Sequence, residues 1–275
     1  MVTSQKRKTA LVLSGGGALG AAHIGVVKIL EKQGYEFDFY SGVSAGSIII
    51  SLLAVGYSAD EIWEIVEKTN IFSTMFDISK SRFGLIQGDK IIKLFGKYLG
   101  NQKIEDLEVP LAVGATDFSN GQRVIIVKGS LVDAIRASIS VPVLFAPYFH
   151  PVEEKWLVDG GLSQNFPLDD AIRQYSGNNI IGVDVASGLK ADFAFSDHKP
   201  NWKVNNVKHV FERVLRIYLS NQQIHFPKDD RVQIITPQLH NYTASDIFKL
   251  KEIYQEGRQT AEDFLRVEQL TGDEN

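Results

Sequence analysis

The chain has 275 residues, 44% hydrophobic and 23% charged, a globular balance that excludes fibrous and disordered proteins. Its 29 Lys and Arg against 33 Asp and Glu give a formal charge of -4, with no basic footprint for nucleic acid. With no cysteine in the chain, disulfides, thiol catalysis, iron–sulfur clusters and thiolate zinc sites are excluded.

Residues 1–9 read as a basic tail around Lys6-Arg7-Lys8, and residues 10–272 as a single domain. The apolar run at 10–13 stops at Ser14-Gly15-Gly16-Gly17, too short for the core of an export signal, and is read as the first strand. Further strands are predicted at 37–41, 111–116, 124–127, 156–158, 180–185 and 232–236. Helices are predicted at 21–33, 45–54, 59–69, 89–98, 131–137, 168–175, 207–221 and 246–270. Ser58 with Glu61 forms a capping box; Ser245 is expected to cap the last helix and Gly272 to close it. Asn120-Gly121 predicts a tight hairpin turn. Residues 187–203 read as a surface excursion. Continuous apolar strands alternating with amphipathic helices predict a three-layer α/β/α protein with a mainly parallel central sheet. The apolar stretch 48–55 is far below the roughly 20 residues that span a bilayer, so a soluble or peripheral protein is expected.

Gly15-Gly16-Gly17-Ala18-Leu19-Gly20 lies between the first strand and the first helix. Its bare N–H groups can hold negative charge. Gly15, Gly17 and Gly20 fit a dinucleotide fingerprint with Glu36 or Asp38 as ribose partner, and the same loop fits an oxyanion hole. Gly42-Val43-Ser44-Ala45-Gly46 follows the second strand and opens a helix, the pattern of a nucleophile elbow. A serine needs a base. Asp159, in Asp159-Gly160-Gly161 at a strand end, is one candidate. His240 follows the strand at 232–236 and would complete a Ser44, Asp159, His240 triad. His23 reads as a core histidine, and His150, His198, His209 and His225 as surface or structural. No metal-ligand spacing is present. Two apolar clusters (Ile71, Phe72, Met75, Phe76, Ile78, Phe83, then Val141, Val143, Leu144, Phe145, Tyr148) fit either core packing or an acyl groove with a cover.

The glycine loop, the Gly42–Gly46 elbow and Asp159-Gly160-Gly161, in this order, resemble the patatin-like phospholipase family. The stretches Ala21-Ala22-His23-Ile24-Gly25-Val26, Arg136-Ala137-Ser138 with Val141-Pro142, and Asn165-Phe166-Pro167 add to the likeness, which runs from about residue 10 to 185. The resemblance implies a lipid acyl-ester hydrolase of phospholipase A or lysophospholipase type, without metal or organic cofactor. Ser44 would be the nucleophile, Asp159 the proton acceptor, and the Gly15, Gly16 and Gly17 amides the oxyanion hole. It also implies a phospholipid or other acyl-ester substrate and a cytoplasmic protein with peripheral contact at a membrane. Leu19 departs from the Arg or Lys of many members. A triad esterase, a dinucleotide-binding oxidoreductase and a catalytically silent membrane-associated protein remain alternatives. A carboxylate base is expected to keep working below pH 6.

Overall fold

The computed structural model describes residues 7–69, 88–187 and 228–272. The helix expected at 207–221, the apolar cluster at 71–83 and nearly all of the excursion at 187–203 lie outside the described residues.

Among the described residues eight strands form one sheet: β1 (Arg7–Leu13), β2 (Tyr35–Val43), β3 (Leu111–Asp117), β4 (Arg123–Ile126), β5 (Tyr148–His150), β6 (Lys155–Asp159), β7 (Ile180–Val183) and β8 (Val232–Ile235). β1 starts within the segment read as a tail. The pairs β1–β2, β1–β7, β2–β3 and β7–β8 are parallel, whereas β4, β5 and β6 join antiparallel. β5 was not expected from the sequence; at three residues it shows no periodicity of its own. The helices are α1 (Ala21–Lys32), α2 (Ala45–Ala54), α3 (Ala59–Lys68), α4 (Asp89–Leu99), α5 (Leu131–Ser138), α6 (Leu168–Gln174) and α7 (Leu250–Gly272).

Side chains alternate across the sheet, as a pleated strand requires. Leu11 and Leu13 enter a large core with α1, α2, α3, α4, α5 and α7, whereas Ala10 and Val12 meet Phe166, Leu168 and Ala171 of the α6 side. Both faces are therefore covered, and the strands read as apolar runs for that reason. The Ser58 capping box forms, its hydroxyl accepting from the Glu61 N–H and the Glu61 carboxylate from the Ser58 N–H. Ser245 does not cap α7, which begins five residues later: Asp246 instead turns back to accept from the Thr243 N–H and hydroxyl. The turn at Asn120-Gly121 is not a two-residue one. Residues 118–121 form the loop, with Gly121 at φ 73° and its N–H donated to the Asp117 carbonyl at 2.8 Å.

β3 pairs with three other strands, β2, β4 and β6. Its residues Val113–Thr116 pair with β4 along one side. On the other, β2 runs parallel along Leu111–Gly114 and stops with Val43 opposite Gly114. There β6 takes over from the opposite direction, with Asp159 opposite Ala115. Val113 and Gly114 pair with both β2 and β4, and Ala115 and Thr116 with both β4 and β6, so β2 and β6 share one edge. Their carboxyl ends meet head to head.

Candidate active site

Ser44 follows β2 directly and starts α2 with φ 51° and ψ -121°. A non-glycine residue there carries strain of roughly 1–3 kcal/mol, which the surroundings must hold. Gly42 and Gly46 make the turn feasible by close approach: a Cβ at Gly46 would lie 2.4 Å from the Leu13 carbonyl oxygen. The Ser44 N–H donates to Ser138 Oγ at 2.8 Å, and that hydroxyl donates to the Gly114 carbonyl at 2.6 Å. Ser138, at the end of α5, thus ties the turn to β3. Sequence reasoning gave Ser138 no role of its own, although it stands in the Arg136-Ala137-Ser138 stretch that adds to the family likeness.

Asp159 ends β6. Its Oδ2 accepts from Ser44 Oγ at 2.7 Å and its Oδ1 from the Gly161 N–H at 2.7 Å. Its own N–H donates to the Ser140 carbonyl, and its carbonyl accepts from Thr116 Oγ1 at 2.9 Å. Burial pushes the carboxyl up to about 6 against the pull of its two hydrogen bonds. Gly160 is required by packing, since a Cβ there would lie 2.4 Å from the Gly114 carbonyl oxygen. β6 is antiparallel, so Asp159 does not reach the site as one more carboxyl end of a parallel row; it arrives by the head-to-head meeting with β2.

The glycine loop passes beside Ser44, and a Cβ at Gly15 would lie 3.2 Å from Ser44 Cβ. Its amides are not equivalent. The Gly15 N–H donates to the Asn165 carbonyl at 2.9 Å, which corrects its expected part in an oxyanion hole because the donor is engaged. Among the described residues no acceptor bonds the Gly16 or Gly17 N–H. Gly17 needs its glycine, with φ 58° and the Ala244 carbonyl 2.5 Å from a Cβ position. Gly20 lies against Ala45, 2.7 Å from Cβ position to Cβ, letting the loop sit close on α2. Leu19, the departure noted in the sequence, is fully buried.

His23 is buried and its Nε2–H donates to the Ser14 carbonyl at 2.9 Å. Burial drives its pKa down to about 4, so it stays neutral and holds the strand end. His240 is exposed after β8. Neither contacts Asp159, whose oxygens are taken by Ser44 and Gly161, so the described residues do not form the triad. His198, His209 and His225 lie outside them. The dinucleotide reading fails on topology: Lys8 pairs with Glu36 at the start of β1 and β2, and Asp38 accepts from Tyr175 at 2.7 Å. Both acids stand at the sheet edge opposite the glycine loop. In the second apolar cluster Phe145 is core, Val141, Leu144 and Tyr148 are half-buried, and Val143 is exposed at φ 72°.

The described residues thus form an α/β protein with a mainly parallel central sheet and a serine on a strand-to-helix elbow. The patatin-like phospholipase family profile matches residues 11–172. The chain belongs to the patatin-like phospholipase family, a family of lipid acyl hydrolases. It is 27% identical over 270 residues to the human patatin-like phospholipase domain-containing protein 6, covering 91% of this chain and 20% of that protein. It is 35% identical over 167 residues to an uncharacterized NTE family protein of Mycobacterium tuberculosis, covering 60% of this chain and 46% of the relative. The chain thus spans a fifth to under half of the length of these relatives. VipD from Legionella pneumophila shares the fold, with a TM-score of 0.55 at 16% identity over 94% of this chain and 67% of that one.

Proposed function

We propose that this chain hydrolyses acyl esters of lipids, in the manner of a phospholipase A or lysophospholipase, with Ser44 as nucleophile and Asp159 as base. The observation that carries the reading is the direct Ser44 Oγ–Asp159 Oδ2 hydrogen bond of 2.7 Å at a buried strand-to-helix elbow. Ser44 attacks the ester carbonyl carbon as its proton passes to Asp159. The carbonyl oxygen becomes an oxyanion, held by the Gly16 and Gly17 N–H groups. Collapse expels the alcohol, which takes the proton from Asp159 and leaves an acyl-Ser44. Water then attacks the acyl carbon, again losing its proton to Asp159, and the acid departs as Ser44 regains its hydrogen. Raising the carboxyl to about 6 makes Asp159 a stronger base than a solvated aspartate.

Contact with a membrane is supported by the shape of the rim. β3 continues three residues past Gly114, about 10 Å at strand rise, so its hairpin stands above the level of Ser44. That rim exposes Phe118, Trp156 and Phe149, the last two stacked edge to face at 5.5 Å. Aromatic side chains of this kind favour the lipid–water boundary. No helix among the described residues is long and apolar enough to cross a membrane.

Labelling with a fluorophosphonate and mapping of the modified residue tests the reading. Modification at Ser44, lost together with ester hydrolysis in folded Ser44→Ala, is the expected result. A folded Ser44→Ala protein with full activity overturns it.

A further inference from the structure

Gly15 is held on both of its peptide groups by one residue. Its N–H donates to the Asn165 backbone carbonyl at 2.9 Å, and its carbonyl accepts from Asn165 Nδ2 at 3.2 Å. The Ser14–Gly15 peptide is held at its other end too, because the Ser14 carbonyl accepts from His23. A trans peptide unit points its carbonyl and its N–H in opposite directions. Fixing the Gly15 carbonyl towards Asn165 therefore fixes the Gly16 N–H away from it, and that N–H has no acceptor among the described residues. Asn165 is buried, and its carboxamide is lodged between two glycines. A Cβ at Gly15 would lie 2.4 Å from Asn165 Oδ1, and a Cβ at Gly161 would lie 2.9 Å from it and 2.9 Å from Asp159 Oδ1.

We propose that Asn165 is a positioning residue that aims the Gly16 N–H at the oxyanion of the reaction described above. The inference rests on the ester-hydrolase reading and adds a coupling to it. The Asp159-Gly160-Gly161 turn carries the proton acceptor, and Asn165, six residues after Asp159, sets the donor. Base and oxyanion donor are thus registered by one short segment rather than by two independent loops. A donor aimed in advance stabilises charge that appears only in the transition state, so its loss is read in kcat rather than in KM.

Asn165→Asp tests this with almost no change of shape, replacing the Nδ2 donor by an acceptor that repels the Gly15 carbonyl. With a soluble 4-nitrophenyl ester, kcat is expected to fall by at least about tenfold with KM unchanged, approaching the loss seen when an oxyanion donor is removed. Inactivation by the fluorophosphonate, whose phosphoryl oxygen needs the same donors, should slow in parallel. Asn165→Ala, which removes the donor without adding charge, should show the same split if the aspartate variant does not fold. Retention of wild-type kcat and inactivation rate in either folded variant overturns the proposal, as does a loss that lies in KM alone. Wild-type protein that is neither labelled at Ser44 nor active would instead remove the hydrolase reading itself.

Discussion

Val43 and Asp159 stand opposite neighbouring residues of β3, Gly114 and Ala115, on the same edge of that strand. Two strands running towards each other therefore deliver Ser44 and Asp159 to one point. A slip of β6 by a single residue would shift Asp159 by about 3.3 Å and turn it to the other face of the sheet. Register, more than the loops, holds the pair together.

Gly160→Ala should break that register. The added Cβ would meet the Gly114 carbonyl oxygen at 2.4 Å and the Ala115 nitrogen at 3.1 Å, all backbone that cannot give way cheaply. Ester turnover is expected to fall about a hundredfold, because a displacement of reacting groups by about 1 Å costs that much. Steady-state kinetics on a soluble ester, with circular dichroism to establish folding, checks it.

Burial of Asp159 gives a two-sided pH dependence. Its carboxyl is pushed up to about 6 by burial, so kcat/KM should fall as pH drops through that value, which corrects the expectation that a carboxylate base keeps working below pH 6. Stability runs the other way. The folded state holds this proton more tightly than an unfolded chain with the ordinary 3.8, so between the two values stability falls as pH rises. Folded Asp159→Asn escapes that penalty, at most about 3 kcal/mol for a two-unit shift. Its melting temperature should exceed that of the wild type at pH 8, and the difference should vanish below about pH 4. Thermal melts of both proteins across pH 4–8 are the measurement; a constant difference would show that ionisation of Asp159 is not its source.

Ser138→Ala should loosen the elbow from beneath. The Ser44 N–H and the Gly114 carbonyl would each lose their partner, at about 1–3 kcal/mol for a buried group left unsatisfied. Denaturation midpoint and kcat are both expected to drop. A variant with unchanged kcat would show that the strained Ser44 backbone holds its shape without this strut.

Gly16→Ala should push the loop away from Val185, whose Cγ2 would lie 2.6 Å from the new methyl group. Turnover is expected to fall about tenfold or more through misdirection of the Gly16 N–H. Val185→Ala in the same chain makes room for that methyl, so the double variant should recover part of the loss. Purely additive losses would mean that the clash is not the cause.

Histidine substitutions separate direct from relayed proton transfer. His240→Ala should keep nearly all activity, because His240 is exposed and Asp159 already holds the Ser44 hydroxyl. His23→Ala should lower stability, and kcat with it, through the freed Ser14 carbonyl. An inactive yet folded His240→Ala protein would restore the triad.

On the rim, Trp156→Ala with Phe118→Ala should weaken turnover of vesicle-bound lipid several-fold while leaving soluble-ester kcat unchanged. Equal losses on both substrates would place these residues in the structure of the site rather than at a lipid surface.

The serine elbow, the glycine loop and Asp159 were legible because close backbone approach leaves glycine at fixed offsets, and such offsets survive as a pattern in the chain. The central parallel strands were legible from their apolar runs. What lay beyond reading was whatever depends on pairing at long range: the three-residue β5, the head-to-head meeting of β2 and β6, and the Ser138 strut, 94 positions from its partner. The engagement of the Gly15 N–H was hidden for the same reason, since its acceptor is Asn165. The start of α7 was misread locally, where Asp246 closes a turn on Thr243 instead of leaving Ser245 to cap.

α7 lies wholly beyond the part of the chain matched by the family profile, yet it touches the glycine loop's own helix backbone to backbone. A Cβ at Gly25 would lie 2.2 Å from the Tyr254 carbonyl oxygen, and one at Gly257 only 2.1 Å from that of Ala22. Just before α7, the Ala244 carbonyl accepts the Ala18 N–H at 2.8 Å. During synthesis the loop emerges early and these partners emerge late. The glycine loop and α1 therefore gain these backbone contacts only when residues 244–257 join them.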